Sequence, residues 1–449
     1  MRKFLLLLLV FILMFSVSQS QNKPWTFQQC VDTALKKNIT INQVRLTNEL
    51  NKITLSQSRA NRIPGVSASA SEGVNFGKTI DPTTSNAVDQ TYNSTNFGIN
   101  GSLNLFNGFQ NTRTIQQNSL NIEAGNYDIA NVQNTVTLNI TTAYLQVLFA
   151  YEILAAAENQ ASSTASQVDR TEKLMNGGKV PESNLFQIKS QYATDKLSVV
   201  NAQSTLDLAK VTLLQLMETP IIDSFNILKP DIPQPAGLLL QTNKEIYEKA
   251  LMVQPQIAGA AIRTNTALLG IKISEGARWP KLNFSGNINT DYAGSSRSSS
   301  SSTVNPNNSR FFNQLWNNLG ESLGLNLSIP IYSNRQIKSS IEKAMINSLT
   351  AQLNEQNTKN QLRKSIEQTY TDLKNSMKKY EATKEQYNSA EVSYKNMETK
   401  YNVGMVTAID FLVEKNNFIQ AQSNLIQAKY DYIFKTKILD FYQGKPIKF

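Results

Sequence analysis

The sequence predicts a mainly helical chain with a small transmembrane β part. Long coiled-coil helical hairpins, laid out as two copies of one plan by internal duplication, close with sister chains into a homotrimeric tube topped by a shared 12-stranded β-barrel. Three observations predict this. Residue patterns recur at a fixed offset along the 449 residues. Two stretches of about 66 residues lack proline and hold a seven-residue apolar repeat. Four short segments alternate apolar residues with Asn, Ser and Gly.

Taken in order, the chain opens with Arg2 and Lys3, an apolar run from Phe4 to Phe15, and small residues at Ser18-Gln19-Ser20. This is the layout of a secretory signal peptide over residues 1–20, cleaved near Ser20. Its apolar part is short for a spanning helix, with an uncleaved anchor as the alternative. Cys30 lies too far downstream for a lipoprotein cysteine and reads as a small buried residue on a helix. A single cysteine excludes an internal disulfide. No later segment offers eighteen apolar residues in a row, so any passage through a membrane falls to strands closed into a barrel. The formal charge is +10, of which Arg2 and Lys3 supply two, leaving +8. Lysines are interleaved with acids, Asn and Gln, which speaks for a solvated surface and against nucleic acid as a partner.

The repeat begins with two helix-starting capping boxes, Thr26 to Gln29 and Thr242 to Glu245, 216 positions apart. The same offset maps Arg62-x-Pro64 onto Arg278-x-Pro280. Further on, an offset of 226 maps Leu105-Phe106 onto Ile331-Tyr332, Tyr144 onto Tyr370, and Gly178 onto Gly404. The ten extra residues fall between Pro280 and Ile331, where Ser295 to Ser302 reads as a flexible loop. The expected boundaries are a first repeat over 21–218, an equatorial linker over 219–241, a second repeat over 242–440 and a tail over 441–449.

Each repeat reads helix, strand, loop, strand, long helix, tight turn, helix. Strands are expected at about 63–76, 95–106, 280–292 and 319–332. In the third, Leu282, Phe284, Ile288 and Tyr292 alternate with Asn283, Ser285, Asn287 and Asn289. Small polar residues with few charges suit a water-filled lumen opposite lipid, although a half-buried soluble sheet has the same alternation. Tyr92, Tyr292, Phe311, Phe312 and Trp316 gather toward the loop ends, as an aromatic girdle would. The helical hairpins span about 109–218 and 334–440. Ile140, Val147, Leu154, Ala161, Val168 and Met175 hold the heptad in the first, and Ile366, Leu373, Tyr380, Tyr387, Tyr394 and Tyr401 in the second. Four strands cannot close a barrel alone. Two chains give a barrel filled by its own side chains, whereas three leave room for water.

The ordered set of Leu327 to Tyr332, Thr142 to Leu148, and Tyr401-Asn402-Val403-Gly404 followed by Asp410 resembles the TolC family of outer-membrane efflux proteins, over nearly all of the chain beyond the leader. The resemblance implies a homotrimer set against outer-membrane lipid in a Gram-negative bacterium, with a twelve-helix tunnel in the periplasm. It implies docking to a periplasmic adaptor (membrane fusion) protein and an inner-membrane RND or ABC-type transporter, in efflux or type I secretion. Linker and tail are expected to belt the tunnel, and no cofactor is implied.

By the same resemblance Asp410 belongs to an acidic ring at the periplasmic gate, with Tyr401 and Glu414 as further candidates. The family's second ring aspartate falls at Val413 and its gate arginine at Val406, so the closed state rests on other contacts. Thr407-x-x-Asp410 is equally a helix cap, and Tyr401 sits at a heptad packing position. Gly177, Gly178, Lys179, Gly404 and Met405 are candidate adaptor-docking tips, or residues that serve only the turns. With no histidine in the chain, a His-based catalytic triad or metal site is excluded. Gly177-Gly178-Lys179 lacks the strand and spacing of a phosphate loop. The expectation is a non-enzymatic duct. The alternatives are a structural coiled-coil envelope protein and a stand-alone porin, which would need all its strands in one chain.

Overall fold

Local chemistry starts each half of the chain in the same way. In the computed structural model, which describes residues 24–80, 85–89, 92–221, 225–230, 241–295 and 310–448, both capping boxes are formed. Thr26 Oγ1 accepts the Gln29 N–H at 3.2 Å while Gln29 Oε1 accepts the Thr26 N–H at 2.9 Å. The expected signal peptide, and most of the expected linker and Ser-rich loop, lie outside the described residues.

The first half runs α1 (Phe27–Lys37), α2 (Ile39–Ala60), β1 (Gly65–Asn75), β2 (Lys78–Ile80), β3 (Ala87–Asp89), β4 (Tyr92–Asn107), α3 (Gln110–Asn176) and α4 (Glu182–Leu216). The second runs α5 (Asn243–Val253), α6 (Pro255–Gly276), β5 (Lys281–Ser295), α7 (Phe311–Asn317), β6 (Gly320–Ser328), α8 (Gln336–Asn402) and α9 (Ala408–Tyr442). Matched helices have equal lengths of 11, 22, 67 and 35 residues. At 1.5 Å per residue the 67-residue helices are about 100 Å long.

Four features correct the sequence reading. The single helix expected before each strand pair is two, broken at Asn38 and Gln254. Asn38 leaves the helix and its Oδ1 recaps the next one by accepting the Ile41 N–H, while Gln254 precedes Pro255 and is pushed from helical geometry. The last strand ends at Ser328 and not at Tyr332, since Pro330 has no N–H for a ladder. The final helix runs to Tyr442, into the expected tail. A small β2–β3 hairpin and α7 were not foreseen.

The main sheet has the order β1-β4-β5-β6, antiparallel throughout. Its register puts Val66, Ala68, Ile99, Leu103, Phe284, Ile288, Leu323, Leu325 and Leu327 on one face. Ser67, Asn100, Ser102, Asn283, Ser285, Asn287 and Asn326 occupy the other. A register shift between Asn104 and Phe106 leaves Leu105 unpaired, so Phe106 takes the place opposite Leu282. β1 and β6 are the edges. α7 lies against β5, where the Tyr292 and Phe311 rings meet at 4.8 Å and the Ala293 N–H donates to Gln314 Oε1 at 3.0 Å. Phe312 and Trp316 remain exposed.

Positive φ values fall at Gly108 and Phe109, Gly178, and Glu218, and again 226 residues on at Asn334 and Arg335, Gly404, and Gly444. Gly108 is needed for a second reason, because a Cβ there would lie 2.1 Å from the Gly276 carbonyl oxygen.

The chain divides into two compact units. One comprises the residues up to Arg45, with Tyr127–Ile257 and Asn357–Phe449, and the other Leu46–Asn126 and Ala258–Gln356. The first holds the main core, built from Ile140, Tyr144, Val147, Leu148, Leu206, Leu213, Ile246, Ile366 and Leu373. An 18-residue window of α3 reaches a mean hydropathy of 1.4, which by length and composition is enough to cross a membrane, contrary to expectation. Half of that window is buried within the protein, as a coiled-coil seam requires. The segment from Phe225 to Leu228 is built into this core: Trp25 and Ile227 form an isolated parallel bridge, and Tyr144 donates to the Leu228 carbonyl at 2.6 Å. The second unit carries the sheet and packs its helices through small and polar groups. Asn48 Nδ2 donates to Asn126 Oδ1 at 2.8 Å over Gly125, and the Thr264 hydroxyl to Glu355 Oε2 at 2.8 Å.

Cys30 lies in the main core, and burial pushes its thiol up to about 12 against the opposing backbone hydrogen bond. Only the thiolate reacts, so alkylation of the folded protein near pH 8 is expected to run about a thousandfold slower than that of an ordinary thiol and to recover on denaturation. Mass spectrometry after timed iodoacetamide treatment checks this; rapid labelling would place Cys30 outside the core.

Candidate functional site

The two hairpin turns, α3 to α4 and α8 to α9, are built alike. The Lys179 N–H donates to the Leu174 carbonyl and the Gly178 N–H to Met175, both at 2.9 Å. The Met405 N–H donates to Lys400 at 2.9 Å and the Gly404 N–H to Tyr401 at 3.0 Å. These paired bonds satisfy the last helical carbonyls and require a left-handed residue, which Gly178 and Gly404 supply at φ 62° and 79°. A Cβ at either would meet nothing within 4 Å, so both turns are open to solvent. Gly177, Lys179 and Met405 are exposed beside them. Helix α4 starts after Pro181, which offers no side-chain cap.

Asp410 forms the cap that its spacing predicts. Its Oδ2 accepts the Thr407 hydroxyl at 2.7 Å and the Thr407 N–H at 3.4 Å, while Thr407 Oγ1 accepts the Asp410 N–H at 3.2 Å. The carboxylate is exposed, flanked by exposed Ile409 and Val413. Glu414 turns elsewhere and accepts from the Ser393 hydroxyl at 3.2 Å. Tyr401 is buried: its ring stacks on Phe411 at 4.8 Å and its hydroxyl lies 3.3 Å from Thr171 Oγ1. The three gate candidates therefore share one end of the hairpin but not one surface.

Two features of this region escaped the sequence reading. Arg170 on α3 donates to the Asn402 carbonyl at 3.1 Å, capping the end of α8. Lys415 on α9 is fully buried, with Nζ 3.5 Å from Asp195 Oδ2, 3.5 Å from Gln167 Oε1 and hydrogen-bonded to the Thr164 hydroxyl. Asp195 also accepts from the Thr164 hydroxyl and from Gln191 Nε2, the latter at 2.8 Å. Burial pulls the Lys415 ammonium below its usual range, opposed by Asp195 and more weakly by Glu398. A signal existed: Asp195 interrupts the seven-residue series Ile188, Ala202, Ala209, whose other members are buried. Among the described residues no group of His, Cys, Asp or Glu is arranged to hold a metal ion.

The family model for outer membrane efflux proteins matches the chain twice, over residues 30–218 and 246–440. Outer membrane protein TolC of Escherichia coli strain K12 is 26% identical over 328 residues, which cover 71% of this chain and 63% of that protein. Among solved structures, CusC superposes with a TM-score of 0.76 at 16% identity over 96% of each chain. The Campylobacter jejuni CmeC outer membrane channel gives 0.74 at 18% identity, over 93% of this chain and 85% of that one. These superpositions establish a shared fold, and the doubled family match covers well over half of the sequence. This chain is an outer-membrane protein and belongs to the outer membrane efflux protein family.

Proposed function

We propose that the protein is the outer-membrane exit duct of a tripartite efflux pump or type I secretion system, and not an enzyme. Three copies form a tunnel that receives substrates from a periplasmic adaptor and an inner-membrane RND or ABC-type transporter. The observation that carries this is the four-stranded sheet with one apolar face, one Asn/Ser/Gly face and two open edges, β1 and β6. Unpaired edges are not tolerated in lipid, so these edges pair with those of sister chains. Three chains give twelve strands around a water-filled lumen lined by the polar face. Apolar stripes left exposed on α2 (Leu46, Leu50, Ile53) and α8 (Ile346, Leu349, Leu353) supply further surface for the same neighbours. Equal helix lengths and positive φ values recurring at 226 support an internal duplication, with repeats over 21–218 and 242–442, a linker between them and a short C-terminal tail.

The exposed turns at Gly177 to Lys179 and at Gly404 and Met405 face the adaptor at the periplasmic end. Asp410, repeated by symmetry, rings the aperture, with Tyr401 and Glu414 setting its backing. Three carboxylates converging there draw cations, while each also caps its own helix.

The test is the mass of the particle in detergent after removal of the leader, followed by its conductance in planar bilayers. Three chains per particle and a steady ion conductance are expected. A single-chain particle that stays soluble without detergent would instead favour a structural coiled-coil protein. Asp410→Ala is expected to lower divalent-cation block by roughly threefold or more, with a parallel loss of cation preference. Unchanged block and selectivity reject the ring.

A further inference from the structure

The outer end of the sheet, remote from the long helices, is uneven. β4 and β5 stay paired as far as Ser295, but β6 begins only at Gly320, opposite Asn289. The last residues of β5 therefore keep one edge that no strand among the described residues covers. Helix α7 fills that place. The Ala293 N–H donates to Gln314 Oε1 at 3.0 Å, and Asn318 Nδ2 donates to the Asp291 carbonyl at 2.8 Å. Side chains at the helix thus satisfy ladder groups that would otherwise lie bare beside hydrocarbon. The first repeat has the small β2–β3 hairpin at the matching position and no helix among its described residues there. α7 is an addition to the shared plan.

The helix also lies on a definite side of the sheet. It reaches β5 through Thr290, whose hydroxyl donates to the Leu315 carbonyl at 2.5 Å, and through Tyr292, whose ring meets Phe311. By register Thr290 and Tyr292 continue the apolar face of Phe284 and Ile288. On the proposed barrel α7 therefore sits outside the wall and not across the lumen. At about 3.3 Å per residue and a tilt near 40°, the strand from Leu282 to Tyr292 rises about 25 Å, the height of the apolar band of a membrane barrel. That height places α7 at the outer rim of the band. Its seven residues carry no charge, and Phe312 and Trp316, one turn apart, are each 79% exposed. A helix this short has no stability of its own. Docking on β5 fixes one face, and the aromatic face is left for a partner that is apolar on one side and wet on the other.

We propose that α7 is an interfacial lipid anchor: Phe312 and Trp316 enter the headgroup boundary of the outer leaflet, while Gln314 and Asn318 close the strand edge behind them. Three such helices around a trimer fix its depth in the membrane. This rests on the exit-duct reading, which puts the sheet in a bilayer with its apolar face outward.

The test uses full-length protein reconstituted in phosphatidylcholine vesicles whose acyl chains carry bromine either near the headgroup or near the chain end. Of the three tryptophans, Trp25, Trp279 and Trp316, the last is isolated by subtracting the emission of Trp316→Phe from that of the parent protein. Phe312→Trp/Trp316→Phe moves the reporter one turn along the same face and keeps both side chains aromatic. Both reporters are expected to be quenched about threefold more by bromine near the headgroup than by bromine near the chain end, with iodide in the buffer nearly without effect. Quenching of either reporter by iodide and not by bromine, in vesicles that conduct ions, overturns the anchor and leaves the duct standing. Shielding from both quenchers would seat the rings against a sister chain and overturn it too. Protein that fails to float with the vesicles at all rejects the anchor and the exit duct together.

Discussion

Replacing Leu325 by arginine is expected to remove assembled protein from the outer membrane, whereas the same change one residue on, Asn326→Arg, leaves assembly intact. Leu325 lies in the middle of β6, directly opposite Phe284, with Leu323 and Leu327 on its own face. It is 67% exposed in the single chain, so no intrachain packing accounts for a leucine there. On the proposed barrel this face meets hydrocarbon, where an arginine near mid-depth costs about 2–4 kcal/mol. Threefold repetition brings that to roughly 6–12 kcal/mol per assembly, comparable with the entire stability of an ordinary domain. Asn326 points to the opposite face beside Asn283, where a guanidinium stays hydrated and only conductance changes. The amounts of each variant in washed outer membranes, with the mass of the extracted particle, provide the comparison. If Asn326→Arg is the damaging change, lumen and lipid faces are exchanged; if neither matters, the sheet is not in a membrane.

That pair of faces was legible from the alternation alone, because a period of two needs only local information. So were the three capping boxes at Thr26, Thr242 and Thr407, whose donors and acceptors lie three residues apart. The heptads gave the long helices for the same reason, and they placed Tyr401 as a packing residue. Strand order was not legible. β4 pairs with β5 across a separation of nearly two hundred residues, and the bulge at Leu105 that adjusts their register has no one-residue signature. The helix break at Gln254 was available in the following proline, and Asn38 is its counterpart at the same offset of 216. Lys415 was hidden for a different reason. Lysine is an exposed residue by type, and only a partner supplied by another hairpin makes its burial tolerable. Similarly, Asp410 could be placed as a cap from sequence, but a ring is a property of several chains and has no trace in one.

The second large effect is expected at Phe411. Its ring is fully buried between Tyr401, at 4.8 Å, and Tyr394, at 5.9 Å, in a small cluster completed by Ile188 and Ala408. This cluster is separate from the main core, so the tip has no other large apolar knot to fall back on. Phe411→Ala leaves a cavity walled by rigid rings that fill it poorly, and a loss of about 3–5 kcal/mol is expected. Because the main core is untouched, that energy appears as local opening of the tip and not as a proportionate fall in global stability. Opening becomes about two hundred- to five-thousandfold more frequent, and trypsin cleavage at Lys395 and Lys400 accelerates by the same factor. Phe411→Leu keeps most of the volume and should cost under about 1.5 kcal/mol. The contrast measures packing directly, because the aromatic knot fails in proportion to the volume removed. Equal protease resistance of the alanine and leucine variants would show that the tip is held by its hydrogen bonds, Arg170 to Asn402 and Tyr401 to Thr171, rather than by stacked rings.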